Sequence, residues 1–174
     1  MIDDDELYQR LLGSAISYVS LRLRSESEID VYLAKKIKKF GDDHHDLLLK
    51  IKERLQELGY VDDTKYVRTY IESVSRNHPV GKRMFMMKLR SRGVQKELIE
   101  SILSEVPPDD GESEYDRAKR ALERKMRTWR KLDEKKRKQK AYGFLLRRGF
   151  PSSMVFRVID EVERKDYNTT IEEG

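Results

Sequence analysis

The chain has no cysteine, which excludes disulfides, thiol nucleophiles and cysteine-ligated zinc and fits a reducing compartment. Proline and glycine are scarce, four and nine in 174 residues, fewer than a fold rich in strands and turns normally uses. No apolar run approaches the roughly 18 residues needed to cross a bilayer. The N-terminus opens with Asp3, Asp4, Asp5 and Glu6, where a secretory signal needs positive charge. The expectation is a cytoplasmic helical protein with no membrane segment. Hydrophobic side chains make up 37% of the chain against 40% charged, so the core is thin. A chain of this length still buries roughly 70% of its unfolded surface in one or two domains, which argues against a large single-core enzyme.

One pattern recurs: an apolar residue, three mostly basic or aromatic residues, then glycine. It ends at Gly41 after Ile37, at Gly93 after Leu89 and at Gly149 after Leu145, and the glycines stand 52 and 56 residues apart. Apolar doublets follow each one, Leu47 with Leu48, Leu98 with Ile99, and Met154 with Val155. Two of these doublets repeat four residues later, as Ile102 with Leu103 and Val158 with Ile159, the spacing of one helix face. Each glycine therefore predicts a helix stop, since the left-handed cap conformation costs least without a Cβ.

A third helix precedes each pair. Leu7, Leu11, Ala15 and Tyr18 share a face, and Ser25 with Glu28 forms a capping-box pattern that starts a helix bearing Ile29, Leu33 and Ile37. Leu48, Ile51, Leu55 and Leu58 mark the next helix, closed by Gly59. Asp62 and Asp63 supply the cap for a helix bearing Tyr66, Val67, Tyr70, Ile71 and Val74, which ends at the Asn77 to Pro79 break; Gly81 starts the following one. Pro107, Pro108 and Gly111 form the strongest break in the chain. The expected fold is all-α, with three tandem three-helix repeats forming an elongated curved array. The repeats occupy 1–60, 61–107 and 108–165, followed by a polar, frayed tail over 166–174.

Charge is distributed unevenly. From Arg117 to Lys140 there are 13 basic and three acidic residues, so this segment is +10 and the remainder −5, an asymmetry hidden in the net charge of +5. At about 100° per residue, Tyr115, Ala118, Leu122, Met126 and Trp129 fall on one helix face. Arg117, Arg120, Arg124, Arg127 and Lys131 fall on the opposite one. Lys136, Lys140 and Arg147 form a second outward stripe, with Gly143 among them. These eight cations are the candidate contacts for a polyanion, either nucleic-acid phosphates or an acidic protein surface. A merely solvated helix face interleaves both signs, which this segment does not. Trp129, Tyr142 and Phe144 stand beside the cations as base-stacking aromatics do, but they lie on or near apolar faces, and core packing is the preferred reading.

Catalytic and metal chemistry find no support. His44 and His45, inside the Asp42 to Asp46 run, point apart on a helix, and acids there suit a helix start. His78 sits in a proline-containing turn. Gly81 and Lys82 end like a phosphate loop, but Arg76 stands where its first glycine is required. Met84, Met86 and Met87 are expected to fill core gaps. The Asn168 sequon is one that a cytoplasmic protein does not use. No pair of carboxylates stands out as a general acid and base, so neither an enzyme nor a cofactor is expected.

The chain resembles the bacterial RecX family of regulatory proteins. The resemblance rests on Arg24, Ser25, Glu28, Ile29 and Leu33, then on Leu55, Gly59, Asp62, Asp63, Tyr66, Tyr70 and Ile71. It continues through Gly81, Leu89, Gly93 and Val94 to Phe144, Leu145, Gly149 and Phe150. It spans about residues 10 to 162, carried by the order and spacing of the motifs together. Gly143 departs from it, standing where a larger residue is usual, as do Val67 in place of alanine and the run Met84 to Met87. The resemblance implies tandem three-helix repeats that bind the RecA recombinase on single-stranded DNA and restrain its ATP hydrolysis, strand exchange and SOS-inducing coprotease activity, with no catalytic residue. The expected form is a monomer whose partner is the RecA nucleoprotein filament, together with single-stranded or duplex DNA. The alternative is a free-standing helical DNA-binding regulator acting through its basic third repeat. Gln95 alone, at the start of the helix after Gly93, supplies the kind of base-reading side chain this alternative needs.

Overall fold

The structure is a computed structural model describing residues 3–40, 45–105 and 112–172, with side chains for all of these except 45, 76, 77 and 165–172. Among the described residues every regular element is a helix, so the all-α expectation holds. In chain order they are α1 (Asp4–Ser20), α2 (Glu26–Ile37), α3 (His45–Glu57), α4 (Asp63–Asn77), α5 (Lys82–Arg90), α6 (Lys96–Glu105), α7 (Glu114–Met126), α8 (Glu134–Arg147) and α9 (Ser152–Glu172). A single 3₁₀ turn, Arg127–Trp129, follows α7.

Local chemistry sets these boundaries. The capping box at Ser25 is complete: its hydroxyl accepts the Glu28 N–H at 3.2 Å, and the Glu28 carboxylate accepts the Ser25 N–H at 3.1 Å. Asp62 caps α4 through the Lys65 N–H at 2.9 Å, while Ser113 and Asp133 cap α7 and α8. Gly59, Gly93 and Gly149 follow their helices with φ of +73°, +78° and +81°, the left-handed conformation expected of a stop. Gly41, residues 42 to 44 of the acidic and histidine run, and the Pro107 to Gly111 break lie outside the described residues.

The chain divides into two compact units, residues 1–69 with 89–99 and residues 70–88 with 100–174. In the first, α1, α2 and α3 pack on one another around Leu7, Leu11, Ala15, Ile29, Leu33, Ile51 and Leu55. The buried face of α3 differs from the expected one at both ends: Leu47 is buried where Leu48 is half-buried, and Leu58 is exposed. In the same unit the Ser25 hydroxyl, besides its capping role, donates to the Arg92 carbonyl at 2.6 Å. A Cβ on Gly93 would lie 2.2 Å from the Ser27 side chain.

In the second unit α9 packs on both α7 and α8, closing a core of Ala118, Leu122, Met126, Leu145, Phe150, Val155 and Val158. Gly81, buried just before α5, donates its N–H to the Arg148 carbonyl at 2.9 Å. The methionine run fills core gaps only in part, because Phe85 is the buried residue there, Met84 and Met86 are half-buried, and Met87 is exposed. The backbone of α9 stays helical to Glu172, past the Lys165 at which the polar sequence suggests fraying. Among the described residues no helix is long and apolar enough to cross a membrane, and no cluster of three or more acids or histidines is placed to hold a metal.

Candidate nucleic-acid and partner interface

The eight candidate cations sit on α7, the turn after it and α8, and the structure sorts them into three groups. Arg117 is not on the outer face: it is 2% exposed, and its guanidinium donates to the Glu112 carbonyl at 2.9 Å. The reason is its place in the helix. Arg117 shares a row with Ala121, four residues on, and this edge of the apolar stripe is buried along with Ala118 and Leu122.

Arg120, Lys136 and three neighbouring cations outside the candidate set are paired. Arg120 grips Glu112 with two bonds, Nε to Oε1 at 3.2 Å and an Nη to Oε2 at 2.7 Å, and is half-buried. Lys136 is exposed, 3.2 Å from Asp133. Helix α9 supplies counter-charges for Arg137 and Lys119. Glu163 receives two bonds from Arg137, at 2.7 and 2.6 Å, and Glu161 takes Lys119 and the Tyr115 hydroxyl. The bond to Glu161 raises the pKa of both Tyr115 and Lys119, since each holds its proton against a carboxylate. Lys138 pairs with Glu134 one turn back.

Arg124, Arg127, Lys131, Lys140 and Arg147 remain. All five are exposed, and none makes an ion pair among the described residues. Lys125 and Lys135 share both properties, although helical periodicity alone had not singled them out. The acids thus neutralise cations facing α9, at the start of α7 and in the first turns of α8, and the five outward ones make no ion pair among the described residues. Such an array draws polyanions, because each contact releases condensed counterions.

The aromatics divide as well. Trp129 and Phe144 meet edge to face at 5.8 Å and pack against the core, and the Arg148 guanidinium lies 4.7 Å over Phe144. Tyr142 packs against the same core and also meets Phe156 at 4.9 Å, and Phe156 is 61% exposed. Periodicity misses this residue because it stands beside the α9 core row of Val155, Val158 and Ile159 without belonging to it.

Fold and surface together define an all-helical protein in which the segment after Ser113 carries exposed cations that make no ion pair among the described residues. A family model described as the third three-helix domain of RecX matches residues 112–159, the stretch that holds all eight candidates. Regulatory protein RecX of Chlorobium phaeobacteroides is 30% identical over 166 residues, covering 94% of this chain and 99% of that protein. Regulatory protein RecX of Bacillus cytotoxicus is 28% identical over 163 residues, but the match spans only 57% of its length. Among solved structures, RecX from Lactobacillus salivarius superposes with a TM-score of 0.72 over 90% of this chain and 96% of that one, at 18% identity. The chain belongs to the RecX family of regulatory proteins.

Proposed function

We propose that this protein binds the RecA recombinase assembled on single-stranded DNA and restrains its ATP hydrolysis, strand exchange and coprotease activity, acting in the cytoplasm as a monomer without a cofactor. The observation that carries this reading is the set of outward cations on α7, the turn after it and α8 that make no ion pair among the described residues, in the segment that resembles the third RecX domain. A nucleoprotein filament presents a repeating polyanion. Weak contacts spread over several helices gain there through effective concentration, because each later contact forms within a molecule already bound. The three repeats proposed from the sequence spacing, 1–60, 61–107 and 108–165, would supply such a spread.

The test is RecA ATPase on single-stranded DNA with and without the protein. The expected result is a dose-dependent fall in hydrolysis that a variant lacking Arg124, Arg127 and Lys131 fails to produce at physiological salt. Full restraint by that variant would mean that the cations only solvate their helices.

A further inference from the structure

Gly143 stands in the middle of α8, where glycine is the poorest helix former after proline. Neither common reason for a glycine applies there. Its φ is not positive, unlike those of Gly59, Gly93 and Gly149. A Cβ would meet no backbone either, since all that lies within 4 Å is the end of the Arg147 side chain, an Nη at 3.1 Å and Cζ at 3.9 Å. The missing side chain therefore leaves a low strip of helix surface onto which the mobile end of the Arg147 side chain folds.

At about 100° per residue this strip falls between two different flanks. On one side run Lys140 and Arg147, exposed and without an ion pair among the described residues. On the other is Tyr142, whose ring leans on the exposed ring of Phe156. Lys138 is held protonated first by its bond to Glu134, with Asp160, the acid one turn beyond Phe156, adding a smaller attraction. A floor of backbone with cations on one flank and aromatic rings on the other suits a nucleotide, whose phosphate and base hang from one sugar.

We propose that the α8 face centred on Gly143 is a contact for single-stranded nucleic acid, with a phosphate on Lys140 and Arg147 and an unpaired base on Phe156 beside Tyr142. In a duplex the base faces are stacked inside, so Phe156 distinguishes single from double strands while the two cations do not. Gly143 acts as a positioning residue that keeps the floor low enough for the strand to cross. The inference takes its biological setting from the filament reading above but is tested without RecA.

The experiment measures fluorescence anisotropy of the full chain with an oligothymidylate of roughly 20 nucleotides, an abasic strand of equal length and a duplex. Wild type should prefer the oligothymidylate. Phe156→Ala should weaken that binding about tenfold and leave the abasic strand unaffected. The pair Lys140→Ala with Arg147→Ala should weaken both strands and flatten log affinity against log salt by about 1.4. Gly143→Gln should weaken both strands while raising the melting temperature. Gly13→Ala in α1, where a Cβ meets open space, should raise the melting temperature and leave binding alone.

Equal oligothymidylate binding by wild type and Phe156→Ala would overturn the proposal. So would restraint of RecA ATPase with no binding to any free strand, which would make an acidic protein surface the occupant. If Phe156-dependent binding is found and RecA ATPase is untouched, the contact stands and the filament reading falls.

Discussion

Gly81 and Gly149 meet backbone to backbone: a Cβ on Gly81 would lie 2.2 Å from the Gly149 carbonyl oxygen, and one on Gly149 would lie 2.5 Å from the Met84 nitrogen. The Gly81 N–H completes the joint with its bond to the Arg148 carbonyl. Main chain cannot swing aside as the end of a long side chain can, so both positions exclude every other residue. Gly81→Ala and Gly149→Ala should each cost more than about 2 kcal/mol, Gly149 adding left-handed strain to the clash. Urea melts give the answer, and wild-type midpoints for both would show that the joint is looser than described.

Leu145 is fully buried between α8 and α9, at the position four before the glycine stop. Its replacement by alanine should cost about 2 to 5 kcal/mol, the transfer loss plus the cavity left behind. Phe156→Ala, with most of the ring already in water, should cost far less. The gap between the two urea midpoints is the measurement, and closely matching values would mean that the core face of α8 is misassigned.

Arg117 and Arg124 should behave oppositely although both are arginines of α7. Arg117→Ala removes a buried side chain that holds the Glu112 carbonyl, so stability falls while the salt dependence of binding stays as it was. Replacing Arg124, Arg127 and Lys131 together leaves the melt unchanged and flattens log affinity for single strands against log salt by about 2. A salt slope that changes with Arg117 would place this residue among the contacts and contradict its burial.

Glu28 makes the first unit sensitive to acid. Burial pushes its carboxyl up, but the bonds from the Ser25 N–H and the Arg22 guanidinium, the latter at 2.7 Å, outweigh burial and hold it below the ordinary range. A carboxyl lowered by folding stabilises the folded state above its ordinary range, and this contribution is lost as pH falls through the lowered value. Melting temperature should therefore drop more steeply for wild type than for Glu28→Gln between about pH 5 and pH 3. Parallel curves would show that the Ser25 and Arg22 bonds contribute nothing in solution.

Much of the fold was legible because local rules set it. Ser25 with Glu28, Asp62, Gly93 and Gly149 each need only neighbours within a turn or two to declare a helix end, and all four act as expected. The surface was legible to a lesser degree. Face assignment by angle put Arg117 outside because one helix does not say how wide a stripe its neighbours will cover. It also counted Arg120 as an outward cation, since Glu112, its counter-charge, sits before the helix and enters only when the chain turns back. Glu161 and Glu163 lie 42 and 26 residues from the cations they hold, a distance no periodicity reports. The exposure of Phe156 was hidden for the same reason.

The joints at Arg92 and Arg148 use carbonyl oxygens, atoms that every residue carries. Substitutions at either position leave the acceptor in place, so evolution can rewrite most of the surrounding surface without unfastening the helices. What must be kept is smallness: Gly93 against Ser27 in one unit, Gly81 against Gly149 in the other. Joints made by main-chain atoms suit a fold whose backbone is shared with the Lactobacillus salivarius protein at 18% identity.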